Sequence, residues 1–205
     1  MKWLDIPLSD VSITALAVGD PVLLSGIVVT GRDMAHKWLT DTFIKRIREP
    51  QGDDLQTYDE IRPLLQGGVL YHCGPVVSGL AEKNYRFVAA GPTTSIREEP
   101  YQGDVMRHFN VKGVIGKGGM GEKTLAACRE APGVYLHAIG GAASLIARTV
   151  QRVLTVYKLE FGVPEAMWVI EVRDFPAVVT MDAHGHSLHK EIENKSGKIL
   201  QTLLA

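Results

Sequence analysis

One piece of punctuation recurs along this chain and constrains its fold more than anything else. A short apolar run ends in glycine, and a segment with helical spacing follows. The pattern occurs at residues 22–30 before Gly31, at 113–115 before Gly116 and at 133–139 before Gly140. A related apolar run at 69–77 contains the pair Gly74-Pro75. A chain that repeats strand, tight turn and helix stacks β/α units, and its strand ends collect loops along one edge. The sequence therefore predicts an α/β fold, with any chemistry in the loops that follow the strands.

In chain order the expectations are these. Residues 3–30 are β-rich and alternating, and predict a hairpin or meander turning at Gly19-Asp20-Pro21, with a bulge at Gly26. The run 22–30 is nearly all apolar, which predicts cover on both faces. Residues 34–48 carry Ala35, Trp38, Leu39, Thr42, Ile44 and Ile47 at helical spacing, with Asp33 as the N-cap. Residues 49–67 are polar and predict a loop with a short helix or turn. Residues 69–77 and 85–90 predict strands, the second of them buried. A helix follows Pro100 to about residue 109, and another, buried, spans 142–153. Residues 167–172 and 175–182 predict two strands around a turn at Asp174 and Pro176. The tail from 190 is polar, with a helix after Gly197.

Net charge is −1, which gives no basic footprint for nucleic acid. The two cysteines, Cys73 and Cys128, are far apart and form no C-x-x-C pair, so neither a disulfide framework nor a self-contained cluster is expected. No apolar run approaches the roughly 20 residues that span a bilayer. The start Met1-Lys2-Trp3-Leu4-Asp5 has no leader character. A single cytoplasmic domain over residues 1–205 is the expectation.

The stretch Gly91-Pro92-Thr93-Thr94-Ser95-Ile96-Arg97 is the most suggestive chemically. Two hydroxyls sit where free backbone amides at a helix start would point outward, and Arg97 adds a planar fork suited to carboxylate or phosphate. The same residues also read as a plain cap, with Arg97 in solvent. Arg32 lies at a strand-to-helix junction, and reads equally as a surface arginine in an ordinary ion pair. Lys117 stands at a strand end among glycines, where its ammonium could reach a bound anion or simply be solvated. The glycine-rich turn 116–124 is not a P-loop, because Glu122 intrudes before Lys123-Thr124 and breaks the register. His72 and Cys73 are strand neighbours on opposite faces, so they form no dyad and read as structural. His184, His186 and His189 form the most metal-like local text.

Three passages together resemble the iron–sulfur-dependent fumarase and tartrate dehydratase family, in its β-type part. They are Gly31-Arg32-Asp33-Met34-Ala35-His36-Lys37, the stretch from Gly91 to Arg97, and Gly113-Val114-Ile115-Gly116-Lys117-Gly118. His72-Cys73-Gly74-Pro75 and Val178-Val179-Thr180-Met181-Asp182 fit the same pattern. The resemblance implies a swivelling β/β/α domain of layered sheet and helices. It implies reversible addition of water to a dicarboxylate, fumarate to L-malate first, with tartrate or mesaconate-type substrates as the alternative. It also implies a [4Fe–4S] cluster bound by an α-type partner subunit, with an open iron acting as a Lewis acid, and a site at the junction between the chains. By resemblance Thr93 is the catalytic base, and Arg32, Thr94, Arg97 and Lys117 bind substrate.

The residues suit that chemistry. Removing a proton beside a carboxylate builds a dianion, which needs fixed positive charge where the negative charge develops. Arg32, Arg97 and Lys117 supply three cations. A threonine hydroxyl is a weak base unless a neighbour activates it, and the sequence offers no carboxylate beside Thr93, which points to the partner for one. A carboxylate-binding regulatory module is the reading without catalysis, and a histidine-rich metal protein is a third.

Overall fold

The computed structural model describes residues 1–204. Its strands are β1 (Lys2–Asp5), β2 (Pro21–Thr30), β3 (Val69–Tyr71), β4 (Val76–Ser78), β5 (Arg86–Ala89), β6 (Gly113–Gly116), β7 (Val134–His137), β8 (Val150–Tyr157) and β9 (Met167–Met181). Its α-helices are α1 (Asp10–Thr14), α2 (Asp33–Leu39), α3 (Asp54–Leu65), α4 (Glu99–Phe109), α5 (Glu122–Glu130), α6 (Ala143–Ala147) and α7 (Leu188–Leu204).

Strands β2, β3, β6 and β7 run parallel in that order. The long strand β9 then runs antiparallel to both β7 and β2, which closes these five strands into a ring. β1 extends the edge of β2 in parallel, and β8 pairs with the first half of β9. β4 and β5 form a separate two-stranded ribbon. The fold is mixed α/β, sheet with helices.

Side-chain period two explains why the strands are apolar on both faces. Tyr71, Ile115, Leu136, Trp168 and Ile170 enter one core, together with α1, α6 and the ribbon. Their neighbours Leu70, Val114, Tyr135 and Val169 enter a second core with α2, α3, α4 and α5. Because four successive parallel strands share a direction, their C-terminal ends present Gly31-Arg32, His72-Cys73, Lys117 and Ala138 along one edge, as the repeated punctuation predicts.

Several expectations are corrected. Residues 3–30 are not a hairpin: β1 and β2 are parallel and α1 crosses between them. The local alternation at residues 11–14 misleads, because Ser9 and Ser12 form a capping box and the buried residues are Ile13 and Leu16, at helical spacing, while Val11 is exposed. The bulge at Gly26 stands: the β2–β9 register shifts there, φ is +123°, and a Cβ would lie 2.7 Å from the Ile6 carbonyl oxygen.

The helix read over 34–48 ends earlier. α2 runs into a π-helical turn, Thr40–Ile44, and Arg32 rather than Asp33 occupies the N-cap position. The polar stretch 49–67 contains the full helix α3, whose Asp54, Thr57, Ile61 and Leu65 are buried at helical spacing. Residues 69–77 break into β3 and β4, and β5 is alternately exposed rather than buried. The helix read over 142–153 is only α6, and β8 begins at Val150. The two strands read around Asp174 are one, β9, with Asp174 itself at φ +53°. α7 starts at Leu188, ahead of Gly197. No helix among the described residues is long and apolar enough to cross a membrane.

Candidate functional site

The segment 91–95 is wedged between the ends of β3 and β6. Thr93 N–H donates to the His72 carbonyl at 2.7 Å, Lys117 N–H to the Thr93 carbonyl at 3.3 Å, and Ser95 N–H to the Lys117 carbonyl at 3.1 Å. Cys73 bridges Pro92, and Thr94 bridges Lys117. The Tyr71 hydroxyl donates to the Ala90 carbonyl just before this segment. Backbone pairing thus brings Thr93, Thr94 and Lys117 together, although the glycine-rich turn lies far from the threonines in sequence.

These bonds correct one expectation. The amides of Thr93 and Ser95 are occupied by backbone carbonyls and are not free for an anion. The helical piece that follows is one 3-10 turn, Ser95–Glu98, too short to contribute a useful dipole. The plain-cap reading fails as well. Thr94 occupies the N-cap position but makes no side-chain capping bond, so its exposed hydroxyl is not committed to the turn.

Arg97 Nη2 lies 3.4 Å from Thr93 Oγ1 and 3.4 Å from Asp33 Oδ2. The guanidinium therefore donates to the threonine hydroxyl oxygen while an acidic side chain anchors it. Arg32 Nη1 lies 3.3 Å from Glu165 Oε1 and 3.5 Å from the Pro164 carbonyl, and its Nε is buried with no acceptor. Gly74 gives the Arg32 side chain its room: a Cβ there would lie 2.5 Å from Nη1. The Lys117 ammonium makes no hydrogen bond or ion pair among the described residues. All five residues singled out in the sequence thus belong to one edge of the ring. Five hollows of about 350 to 640 Å³ each are lined by residues other than Arg32, Thr93, Thr94, Arg97 or Lys117. Thr94 and Arg97 are exposed, and Arg32, Thr93 and Lys117 are half-buried.

Beneath it lies a buried polar network that the sequence does not announce. Gln102 Oε1 is placed 2.9 Å from His36 Nε2 and 2.7 Å from His72 Nε2, while Gln102 Nε2 is buried with no partner. His36 Nδ1 meets the Arg32 carbonyl at 2.9 Å, and His72 Nδ1 meets Ser95 Oγ at 2.8 Å, to which the Tyr135 hydroxyl also donates at 2.9 Å. Burial holds both imidazoles neutral, with His72 lowered to about 3 and His36 also lowered. A neutral His36 donates from Nδ1 to the Arg32 carbonyl and so needs a donor at Nε2, which an amide oxygen cannot be. Turning the amide so that its NH₂ group faces both rings supplies that donor and gives the orphaned nitrogen its partners. The network connects the N-cap of α2 to Ser95, and so fixes the two cationic loops relative to each other. His72 is structural, as expected, and so is Cys73, whose buried thiol is pushed up to about 12.

Two further carboxyls escaped the sequence reading. Glu98 is fully buried, both of its oxygens lack donors, and it neighbours Asp33. Burial first, then Asp33, push its carboxyl up to about 8. Glu165 pairs with Arg32 from the loop before β9. A lone Glu in a charged turn gives no sequence signal for either role.

The other motifs resolve simply. Where a P-loop would place phosphate, at the start of α5, the Glu99 carboxylate accepts from Gly121 N–H, Lys123 N–H and the Thr124 hydroxyl, at 2.9, 2.8 and 2.6 Å. His184 meets the Thr14 carbonyl, His186 meets Asp182, and His189 packs beside His137 and Tyr135. Among the described residues no three His, Cys, Asp or Glu side chains come together as metal ligands. The two cysteines are free, buried and raised to about 12, so this donor set does not fit an iron–sulfur cluster.

Residues 3–192 match the family described as Fumarase C-terminus. A Geobacillus stearothermophilus protein provisionally named fumarate hydratase class I is 50% identical over 94% of this chain, which spans only 34% of that relative. A Methanocaldococcus jannaschii protein provisionally named L(+)-tartrate dehydratase subunit beta is 35% identical over 100% of this chain and 99% of its own length. The L(+)-tartrate dehydratase subunit beta of Escherichia coli K12 is 33% identical, over 93% of this chain and 87% of its own.

Proposed function

The chain belongs to the Fumarase C-terminus family, and on that premise we propose that it is the β-type part of a hydro-lyase that interconverts fumarate and L-malate. The observation that carries this reading is Thr93 Oγ1 beneath the Arg97 guanidinium, with the unpaired Lys117 ammonium on adjoining backbone. A guanidinium that donates to a hydroxyl oxygen favours its ionised form, which is the form that accepts a proton from carbon. The cations then stabilise the charge that grows on the substrate carboxylate. Thr94 offers a free hydroxyl for a carboxylate oxygen. Arg32 would exchange its Glu165 contact for a substrate carboxylate, and its unpaired Nε supports that role.

The exposed Thr94 and Arg97 support a site completed by an α-type partner subunit. So do the lengths of the relatives, one of which continues well beyond this chain while two are named as β subunits. We assign the [4Fe–4S] cluster to that partner, since the side chains here do not fit it. The ring of strands with its ribbon and outer helices suits a swivelling β/β/α domain occupying residues 1–205, and we place the protein in the cytoplasm. The names of two relatives keep L-tartrate dehydration, or hydration of a mesaconate-type diacid, as the second reading.

The test is anaerobic co-expression with the adjoining reading frame, followed by assays on fumarate, L-malate, L-tartrate and mesaconate. Turnover of fumarate and malate above the others supports the first reading. Preference for tartrate or mesaconate selects the second, and loss of all four activities defeats both.

A further inference from the structure

Two side chains, Asp33 and Arg97, stand in line between a buried acid and the Thr93 hydroxyl. Glu98 closes the 3-10 turn, is fully buried, and receives no hydrogen bond at either oxygen. Asp33 neighbours it from the first position of α2, and its Oδ1 is likewise buried with no donor. Two carboxylates do not sit together without a proton between them. Asp33 Oδ2 lies 3.4 Å from Arg97 Nη2, and the same nitrogen lies 3.4 Å from Thr93 Oγ1.

We propose that Glu98 is a positioning residue: its carboxyl proton binds Asp33, Asp33 anchors Arg97, and Arg97 is thereby kept on the Thr93 hydroxyl. The role rests on the reading of Thr93 and Arg97 as substrate-facing groups. When Glu98 loses its proton, two negative charges stand side by side. Asp33 swings away and draws the guanidinium off Thr93. The groups that set the ionisation of Glu98 are Asp33 from α2, Arg97 from its own turn and Tyr135 from β7, with His36 beyond Asp33. The balance of burial and Asp33 against Arg97 raises Glu98 to about 8, so the device acts just above neutral pH.

Glu98→Gln still donates to Asp33 but cannot ionise, whereas Glu98→Leu removes the donor. In the reconstituted complex, Glu98→Gln is expected to move the alkaline limb of kcat/KM upward by about one pH unit or more. Glu98→Leu is expected to lower kcat ~10-fold across the range, the scale of a misplaced active group. On this chain alone, the carboxyl carbon of Glu98 is expected to titrate near pH 8 by NMR. The Arg97 Nε–H resonance should move with the same midpoint in the native chain and stay still in Glu98→Gln. A carboxyl that titrates in the ordinary range near about 4.3, or an Arg97 resonance indifferent to Glu98, overturns the proposal. Because the NMR arm needs no turnover, it decides the role of Glu98 even if the complex hydrates none of the diacids.

Discussion

The Lys117 amide donates to the Thr93 carbonyl at 3.3 Å, and this backbone bond grafts the hydroxyl-bearing turn onto the end of β6. The ammonium and the hydroxyl are therefore carried by adjoining backbone, and neither side chain is needed to hold the other in place. Function and stability should separate cleanly at both positions.

Thr93→Ala should lower turnover of the reconstituted complex by at least ~100-fold, the usual size of a lost acid–base group. Thr93 is partly exposed and its hydroxyl meets only Arg97, so the melting temperature of the isolated chain should hardly change. Thr93→Ser, which keeps the hydroxyl, should recover most of the rate. Steady-state assays beside thermal melts check all three statements, and near-native turnover in Thr93→Ala would remove this residue from the chemistry.

Lys117→Met should leave the fold intact and cut kcat/KM by ~100-fold, as expected for a preorganised charge aimed at a developing dianion. Arg97→Lys should also be impaired, because the rigid guanidinium holds the single nitrogen Nη2 3.4 Å from both Asp33 and Thr93, and a flexible ammonium is not held there. Kinetics on the complex decide both, and a Lys117→Met enzyme with native kcat/KM would contradict the assignment.

Gly116→Ala and Gly74→Ala should differ in kind. A Cβ at Gly116 would lie 1.8 Å from Ser95 Oγ, in the buried network, and should cost about 1–3 kcal/mol as overpacking does. A Cβ at Gly74 meets the far end of Arg32 instead, which can move. It also comes within 3.1 Å of the Pro164 carbonyl, so Gly74→Ala should raise KM with a smaller loss of stability than Gly116→Ala. Urea unfolding and KM measured on the same two variants separate the cases.

His36 and His72 are neutral in the fold, with His72 lowered to about 3, whereas an unfolded histidine titrates near about 6.5. Between those values the unfolded chain binds more protons, so these rings make stability fall as the pH drops from about 6.5 toward 3. Glu98 has the opposite sign, and its contribution is lost as the pH rises from 4.5 to about 8. Below about pH 6.5 two rings oppose one carboxyl, so the urea midpoint should fall on acidification from there while the His72 ring stays neutral by NMR. A His72 that protonates near neutrality would show that the Gln102 network is not closed.

Lys158 tests stability away from the site. Its ammonium is buried, lies 2.7 Å from both Asp53 and Asp54, and sits 5.2 Å from the Trp38 ring centroid. Its carboxylate partners outweigh burial and hold it above the usual lysine range. Lys158→Met leaves the buried Asp54 with only Trp38 Nε1, the Gln51 amide and Arg48, and should cost roughly 1–3 kcal/mol. Urea unfolding measures the loss, and turnover at a temperature where the variant is folded should be preserved.

The sequence by itself determined the α/β class and the loop edge, and it picked out the five residues proposed for the site. Apolar runs that stop at glycine specify strands through local sterics and burial, and the hydroxyl and cationic residues follow those stops directly. It misread elements where two periods fit one short string. Residues 11–14 alternate like a strand, yet bury Ile13 and Leu16 as a helix does, and β8 looked like the end of a helix. Tertiary structure alone decided that β9 returns to β2 and closes the ring, because strand pairing depends on long-range hydrogen bonds that no local pattern encodes. It alone decided that Glu98 meets Asp33 and that Gln102 joins two imidazoles. Those contacts exist because α4 packs against α2, and the physical need to satisfy or neutralise buried polar groups arises only once the chain has excluded water from them.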